Sequence, residues 1–339
     1  MDDVRIVSVD PLADEGLLDH WLDASVASAR HEFGEHHVVY SADEVRARQR
    51  EVTDRRIVFV AAVEDGQMLG EGNLQASLRD NLHLANFWLS VRPEHRRRGV
   101  GSLLLQRLES LATSLGRTTF AVGSEVAAGH QDPATSFAAT RGYAPALVEL
   151  RSDLDVLPSS LDELLTPLEA DAAAHAGGYD VLTWWDDVPE QWLDQRAHLA
   201  SRMSIDAPLG ELQTEEEQWD ADRVREQYRI VRAQGRRLVE TVALERATGR
   251  LAAFTDLAVA AHTPDLAYQW DTLVLKEHRG RRLGQLVKAA NLRALLGELP
   301  DVRRVVTWNA EVNAPMLRVN RAMGFVAVGV TTEWQKVLG

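Results

Sequence analysis

An internal repeat constrains the fold of this chain more than any other feature of its sequence. The segments 91–101 (VRPEHRRRGVG) and 274–284 (VLKEHRGRRLG) align without a gap at an offset of 183 residues. A strand-like apolar run precedes each segment, and apolar residues at helical spacing follow it. Matching β-rich runs, short helical segments and a Gly-Tyr or Gly-Phe pair then come in the same order. The sequence therefore predicts one fold that is present twice.

Length and composition agree with two ordinary globular domains. The chain has 339 residues, whereas one domain has roughly 100–200. Its 37 Lys and Arg against 51 Asp and Glu give a net charge of −14, which disfavours nucleic-acid binding. The absence of cysteine excludes disulfides, thiolate catalysis and cysteine-ligated metals, and no other metal-ligand spacing is present. No apolar run approaches the ~20 residues of a membrane span, so we expect a cytoplasmic protein without membrane contact.

Each half is predicted to be a mixed α/β domain, of the α+β type with one mixed sheet. A strand and one or two helices precede a three-stranded meander, then a Gly- and Arg-rich loop, a helix, a strand, a short helix and a final strand. Ser160 and Glu163 form a capping-box pattern for a helix that ends at Gly177-Gly178. We predict an N-terminal domain over 1–155, a helical connector over 156–177 and a C-terminal domain over 178–339. The predicted meander strands are 57–63, 68–77 and 84–91 in the first half, and 237–245, 251–261 and 266–274 in the second.

The loop after each meander is a predicted anion site. A tight loop before a helix presents N–H groups that no intrahelical carbonyl accepts, and phosphate suits them. Glycine serves where the backbone needs a positive φ or close approach to the ligand, and arginines add complementary charge. Because the same strand, loop and helix context occurs twice, a phosphate site is favoured over a plain turn.

The two loops resemble the acyl-CoA signature Arg/Gln-x-x-Gly-x-Gly/Ala of the GCN5-related N-acetyltransferase (GNAT) family. The first half has Arg96-x-x-Gly99-x-Gly101, and the second has Arg279-x-x-Arg282-x-Gly284, in which Arg282 replaces a glycine. The resemblance covers both halves and implies two tandem GNAT (acyl-CoA N-acyltransferase) domains, as in actinobacterial two-domain members. It implies acetyl-CoA as cofactor, with strand ends beside the pantetheine arm and loops around the pyrophosphate. The implied CoA-binding residues are Leu89, Val91, Arg96, Arg97, Arg98, Gly99, Val100, Gly101, Leu273, Val274, Leu275, Arg279, Gly280, Arg281, Arg282, Leu283 and Gly284.

Asparagines of the second half match a further part of the family pattern, Asn-x6-Tyr-x3-Gly-Phe. Asn313 occupies the position of the CoA-contacting asparagine, although it is equally a candidate helix N-cap. Asn309 is a second implied CoA contact. The tyrosine, often the acid that reprotonates the CoA thiolate, is replaced by Asn320 here and by Ala138 in the first half. Asn320, a water or another side chain would serve instead, or the thiolate would leave unassisted.

The implied reaction is direct attack of a primary amine, of a small or peptidic acceptor, on a thioester. An alkylammonium must first lose a proton, so a carboxylate base is expected. Asp256 and Asp271 are the candidates in the second half, and Glu71 is the candidate in the first. Each is also interpretable as an ordinary strand acid. Strand alternation places Asp271 opposite to Trp270, unless a bulge changes the count.

Other polar and aromatic residues have structural and functional interpretations. The cluster 184–187 (Trp-Trp-Asp-Asp) is either core or an aromatic, acidic pocket for a cationic amine. His95 and His278 precede the arginines of both loops, which favours loop packing over catalysis. For Tyr268, a core position is favoured over a role in the substrate site.

The sequence leaves two functions open. The first is an acetyl-CoA-dependent N-acetyltransferase, with catalysis in the second half and CoA binding or a structural role in the first. The alternative is a non-catalytic acyl-CoA-binding or scaffold protein with degenerate domains, suggested by Arg282 and the two missing tyrosines. The acceptor, the acyl-chain preference and the oligomeric state are not determined by these motifs.

Overall fold

The chain folds into two compact units that are not consecutive in sequence. The computed structural model describes residues 4–157 and 161–339. The first unit runs to Val148 and also includes Gly210–Thr214 and Val330–Gly339, whereas the second consists of Glu149–Leu209 and Glu215–Gly329. These units differ from the consecutive ranges 1–155, 156–177 and 178–339 that the sequence predicts.

In the described part of the first unit, α-helices pack on a mixed sheet. The strands are in the order β1-β2-β3-β4-β5, antiparallel except for the parallel pair β4–β5. Its helices are α1 (Glu15–Phe33), α2 (Ala42–Glu51), α3 (Val100–Ser114) and α4 (Ala134–Ala139). Its strands are β1 (Arg5–Val9), β2 (Arg55–Glu64), β3 (Gln67–Ser77), β4 (Leu84–Val91), β5 (Thr119–Ala127) and the start of β6 (Ala144–Asp155).

Alternate residues of β2 belong to two separate cores in this unit. Val60 packs with Leu104 and Leu108 of α3, whereas Phe59 packs with Leu18 and Trp21 of α1. Since neighbouring residues of a strand point to opposite faces, the two helices cover opposite faces of the sheet.

The second unit repeats this plan. Its strand order is β6-β11-β10-β9-β8-β7, in which β10 and β11 are parallel. Its helices are α5 (Leu161–His175), α6 (Leu193–Asp206), α7 (Ala221–Ala233), α8 (Leu283–Glu298) and α9 (Ala314–Ala322). Its strands are β7 (Tyr179–Trp185), β8 (Arg236–Glu245), β9 (Arg250–Ala260), β10 (Leu266–Val274), β11 (Arg304–Ala310) and the start of β12 (Val326–Val337). Phe254 packs beside α6 and α7, and Leu257 packs beside α8, so the helices again cover opposite faces.

The end of each half's last strand belongs to the other half's unit. In the second unit, residues 149–155 of β6 pair antiparallel with β11, from Ala310↔Glu149 to Arg304↔Asp155. In the first unit, the end of β12 lies beside β5, where the indole N–H of Trp334 donates to Ser124 Oγ over 2.8 Å. The exchange gives β5 and β11 a neighbouring strand in place of an unpaired edge.

The sequence predicts most elements within two residues. The six meander strands are confirmed as β2, β3, β4, β8, β9 and β10. The predicted connector helix is α5, which packs against α8, where Gln285 Nε2 donates to Leu168 O over 2.8 Å. Its predicted N-cap, Ser160, lies outside the described residues. Within the described ranges, no helix is long and apolar enough to span a membrane.

Candidate functional site

The two repeated loops have the same backbone conformation despite the different residues. Positive φ values occur at Arg97 (63°) and Gly99 (83°) in the first unit, and at Gly280 (82°) and Arg282 (56°) in the second. These positions correspond at the offset of 183 residues. Each loop therefore has glycine at one left-handed position and arginine at the other, which costs roughly 1 kcal/mol or more for the arginine. The replacement at Arg282 leaves the loop conformation intact.

Helices begin directly after both loops. The N–H groups of Ser102 and Leu103 bond back to Gly99 O, and Leu286 N–H bonds back to Arg282 O. The amides before these bonds belong to the first turn of α3 or α8, where no intrahelical carbonyl can accept them. Each loop can therefore receive a phosphate group on backbone N–H groups at the positive end of a helix dipole.

The first arginine of each signature holds its loop to the preceding strand. Arg96 Nε donates to Val91 O and Arg279 Nε donates to Val274 O, each over 3.1 Å. Arg96 also donates to Ser28 Oγ on α1 over 3.0 Å. These side chains shape the loop, so the backbone amides are the groups best placed to meet a phosphate.

Three of the remaining loop arginines, which are exposed like Arg97, also have protein partners. Arg98 forms an ion pair with Glu64 over 2.6 Å, and Arg281 donates to Tyr179 Oη over 2.9 Å. Arg282 forms an ion pair with Asp171 of α5. The side chain of Arg282, which replaces a glycine of the signature, is therefore held along α5.

The parallel strands of each unit separate near the loop. The register of β10 with β11 runs from Leu266↔Arg304 to Tyr268↔Val306, although β10 continues to Val274. In the first unit the corresponding register ends at Phe87↔Val122, although β4 continues to Val91. The ends of β4 and β10, which include the predicted CoA-binding strand residues, therefore lie beyond the parallel pairing.

A β-bulge distinguishes the second unit from the first. Gln269 pairs with Leu257 and Thr272 pairs with Thr255, so Trp270 and Asp271 oppose the single residue Asp256. In the first unit, β3 and β4 keep one register throughout their pairing. The bulge that would change the strand count at Asp271 is thus confirmed, and it brings this residue beside Asp256.

Asp256 and Asp271 belong to a cluster of charged groups in the interior of the second unit. Arg196 Nε donates to Glu240 Oε2 over 2.6 Å, and its guanidinium lies 3.8 Å from the Phe254 ring centroid. Asp256 is buried, and its Oδ1 has no hydrogen-bond partner. Arg196 thus pairs with Glu240, while the carboxyl groups of Asp256 and Asp271 interact with its charge and with the charge of Glu240.

The cluster raises the pKa of both aspartates. Burial raises the pKa of Asp256 well above its ordinary value, and the charges of Asp271 and Glu240 raise it further, against Arg196. Burial also raises the pKa of Asp271, against Arg196 and with Glu240 and Glu217. Because the two carboxyl groups interact, they titrate as a pair that accepts and holds a proton more readily than isolated aspartates.

The three asparagines of the family pattern have protein partners. Asn313 Oδ1 accepts from Met316 N over 3.3 Å, which confirms the N-cap interpretation. Asn320 is buried and donates from Nδ2 to Asn309 Oδ1 over 2.5 Å. The side chains of Asn309 on β11 and Asn320 on α9 are therefore joined by a hydrogen bond.

The cluster 184–187 does not form an amine pocket, and this interpretation is wrong. Asp186 Oδ2 accepts from Arg237 Nε over 2.7 Å, and Asp187 pairs with Arg232 over 2.8 Å. Trp184 is buried in the core. The two carboxylates are neutralised by arginines and are not available to a cationic ligand.

The histidine and tyrosine interpretations agree with the structure. His278 Nδ1 lies 2.7 Å from Tyr179 Oη, which supports loop packing. His95 Nδ1 lies 3.2 Å from Arg98 Nη1 within its own loop. Tyr268 is buried. Within the described ranges, no group of three His, Asp or Glu side chains could hold a metal ion.

Sequence reasoning missed Arg196, Tyr228 and Glu240, which complete the charged cluster. A signal was present: Arg196 stands beside Ala197 on the apolar face of α6, and Glu240 interrupts the run Leu-Val-Glu-Thr-Val. A charge at a core position needs a partner, but the sequence does not indicate which charges meet.

In the first unit, Glu71 is the buried acid. It accepts from Ser90 Oγ over 2.8 Å. Burial raises its pKa to about 7, while the hydroxyls of Ser90 and Ser25 lower it. The positions at the repeat offset from Asp256 and Asp271 are Asn73 and Trp88. The first unit therefore lacks this acid pair.

Comparison with known proteins agrees with the two-unit fold. Residues 20–143 match the Acetyltransferase (GNAT) family. A tandem GNAT protein from the clavulanic acid biosynthesis pathway, solved without AcCoA, is 27% identical with a TM-score of 0.78, over 99% of this chain and 99% of that one. A GCN5-related N-acetyltransferase from Sphaerobacter thermophilus is 18% identical with a TM-score of 0.65, over 99% and 96%. The second likeness supports the fold alone. No curated protein sequence matches significantly.

Proposed function

We propose, from the premise that this chain is a tandem member of the GCN5-related N-acetyltransferase family, that its second unit transfers an acyl group from acetyl-CoA to a primary amine. One observation carries the proposal. The bulge in β10 sets Asp271 beside Asp256, on the same strand end that leads into the phosphate-type loop. A proton acceptor and a cofactor loop thus lie on one short segment.

The residues of the second unit fit CoA. The amides of 280–284 suit its pyrophosphate, and the strand end 273–275 suits its pantetheine arm. A Cβ on Gly284 would meet Val274 Cγ2 at 3.6 Å, an ordinary contact, so packing within the protein does not require glycine there. Asn309 and Asn313 are further proposed contacts. When bound, CoA supplies the acyl thioester that an unprotonated amine attacks.

The acid pair is suited to prepare the amine. An alkylammonium has a reference pKa of about 10.4 and must lose a proton before it reacts. Asp271 is half-buried, whereas Asp256 is buried behind it. We assign Asp271 as the group that meets the ammonium and takes its proton, and Asp256 as the neighbour that shares the proton.

Asn320 is poorly suited to return a proton to the thiolate. A carboxamide releases no proton near neutral pH, and its Nδ2 already donates to Asn309. We therefore assign Asn320 as a positioning residue for Asn309. The acid pair, once protonated, is the proton source of the second unit.

The first unit is proposed to bind CoA or to serve a structural role. Its loop 96–101 and strand end 89–91 have the same backbone geometry as in the second unit. A Cβ on Gly101 would meet the Phe137 ring at 3.5 Å, an ordinary contact like the one at Gly284. The presence of Asn73 and Trp88 in place of the acid pair favours the second unit for catalysis. The net charge of −14 favours a small or peptidic amine over a polyanionic acceptor.

Calorimetric titration of acetyl-CoA, followed by thiol release with a panel of amines, tests the proposal. We expect binding, and thiol release with at least one amine. Gly284→Val should abolish release, whereas the matched Gly101→Val should retain it. Binding without release across the panel would leave an acyl-CoA-binding protein, and no binding would leave a scaffold. Loss of release in Gly101→Val alone would transfer catalysis to the first unit.

A further inference from the structure

One face of the β3–β4 pair in the first unit has polar side chains at three successive cross-strand pairs of that face. Residues directly opposite each other in an antiparallel pair project to the same face, and every second rung shares that face. The face contains amides, a hydroxyl, a carboxyl and an indole, but no aliphatic side chain. Its three cross-strand pairs are Glu71↔Ser90, Asn73↔Trp88 and Gln75↔Asn86.

The exposure of these side chains differs between the two strands. Glu71 is 3% exposed and Asn73 is 9% exposed, beside α1, which packs on both strands. Trp88 is 50% exposed. The half-exposed indole of Trp88 therefore stands beside the buried amide of Asn73. We call this arrangement a step, with Asn73 and Glu71 as its polar floor and Trp88 as its aromatic wall. Clefts with one aromatic surface and a few convergent polar groups are typical ligand sites.

The floor of this step contains a buried polar atom without a partner. Glu71 Oε1 accepts from Ser90 Oγ and the Ser25 hydroxyl also interacts with the carboxyl group, whereas no hydrogen bond satisfies Oε2. A buried polar atom without a partner costs on the order of 1–3 kcal/mol. A ligand that donates a hydrogen bond would satisfy it. The side chain therefore points to a ligand with a donor group.

The charge of the face distinguishes it from the acid cluster of the second unit. Its three cross-strand pairs contain one carboxyl group, and Arg48 of α2 donates from Nη2 to Gln75 Oε1 over 3.1 Å. The other polar groups are three neutral amides and one hydroxyl, each able to donate and to accept, and the indole N–H of Trp88, which only donates. Such groups match ligand hydroxyls, which also donate and accept. A cationic amine finds no excess negative charge here, and a polyanion finds no excess positive charge.

We propose that this face binds an uncharged saccharide, with one face of the sugar ring against Trp88 and its hydroxyls on Asn73, Gln75, Asn86 and Glu71. A sugar ring has an apolar C–H face for the indole and a rim of hydroxyls for the amides. The inference depends on the first unit alone. It stands or falls separately from catalysis in the second unit.

The test is saturation-transfer NMR of the full chain with uncharged saccharides: glucose, N-acetylglucosamine and maltose. We expect at least one to bind, with a Kd on the order of millimolar. Trp88→Ala should weaken binding at least tenfold, as should Asn73→Asp, which places a carboxylate on the floor. Leu82→Ala, at an exposed apolar position of the same unit, is the matched control and should bind normally.

Circular dichroism melting checks that each variant is folded. If Trp88→Ala is unfolded, Trp88→Phe replaces it and should weaken binding by a smaller factor, since a smaller ring remains. The proposal is overturned if none of the three saccharides binds, or if binding is unchanged in the tryptophan and Asn73→Asp variants. It is also overturned if this face binds only cationic amines or peptides.

Discussion

Arg196 Nε donates to Glu240 Oε2 over 2.6 Å inside the second unit, and the two side chains are only 2% and 0% exposed. The guanidinium of Arg196 is thus hydrogen-bonded to Glu240, one of the three carboxyl groups of the cluster. Asp256 and Asp271, beside the bulge, interact with the same guanidinium without a hydrogen bond to it. The chemistry proposed for the second unit therefore depends on a residue pair that does not itself meet substrate.

Replacement of Glu240 tests this dependence. Glu240→Gln leaves a buried guanidinium with a neutral partner, and we expect a loss of unfolding free energy on the order of 3 kcal/mol. Since the charge of Glu240 raises the pKa of Asp271, the acid limb of the pH–rate profile should move to lower pH. Urea unfolding and thiol release measure the two effects. Glu190→Gln, in the exposed pair with Arg225, should change neither, and equal behaviour of both variants contradicts the prediction.

Asp271→Asn tests the proposed base. Loss of a general base typically costs about 10²–10⁴-fold, so kcat/KM for amine acylation should fall at least about a hundredfold. Because the pKa of Asp271 is raised in the fold, its ionisation destabilises the protein as pH rises, and the asparagine variant should be at least as stable at pH above neutral. Asp301→Asn, at a side chain 88% exposed, is the control. Unchanged kcat/KM would reassign the base.

The contacts of the loop arginines predict that two matched variants, Arg97→Gly and Arg282→Gly, differ in stability. Arg97→Gly and Arg282→Gly both remove a left-handed arginine, which should increase stability by up to about 1 kcal/mol. Arg282→Gly also loses the ion pair with Asp171, so its net gain should be smaller. Thermal unfolding measures this difference. Calorimetry should show that Arg282→Gly binds CoA no more weakly; weaker binding would make the Arg282 side chain a phosphate ligand.

Because Lys288 is buried, we expect the stability of the second unit to depend on pH. Its Nζ has no hydrogen-bond partner, and burial lowers its pKa from 10.5 to about 7, against the charge of Asp256. Between these values the unfolded chain binds more protons than the folded chain, so stability rises with pH through this window. Lys288→Met should be more stable than the wild type at pH 7, by on the order of 3–5 kcal/mol.

The advantage of Lys288→Met should shrink as the pH approaches 10.5, where lysine in the unfolded chain also becomes neutral. Urea unfolding at a series of pH values between 6 and 10.5 measures it. Lys276→Met, at an exposed side chain of the same unit, should leave the slope in this window unchanged. A constant difference between Lys288→Met and the wild type would show that the lysine is not neutral in the fold.

The local structure of this chain was largely predictable from its sequence. Strand alternation, turn residues and the spacing of Leu104 and Leu108 depend on neighbours within a few residues, which a sequence displays directly. The repeat at 183 residues then located the phosphate-type loop twice. Asp256 and Asp271 were named as candidate acids for the same reason, because both lie on predicted strands beside that loop.

The composition of the units and of the acid cluster was decided only by the tertiary structure. Whether the end of β6 pairs with β11 depends on which sheet edge is free, and the sequence pattern of a strand is the same on either edge. Arg196 and Glu240 are 44 residues apart, and the repeated sequence pattern does not indicate that they pair. The sequence determined the repeated elements and their loops. Long-range contacts decided which acid pairs with Arg196 and which have raised pKa values, because desolvation and charge pairing are properties of a packed interior.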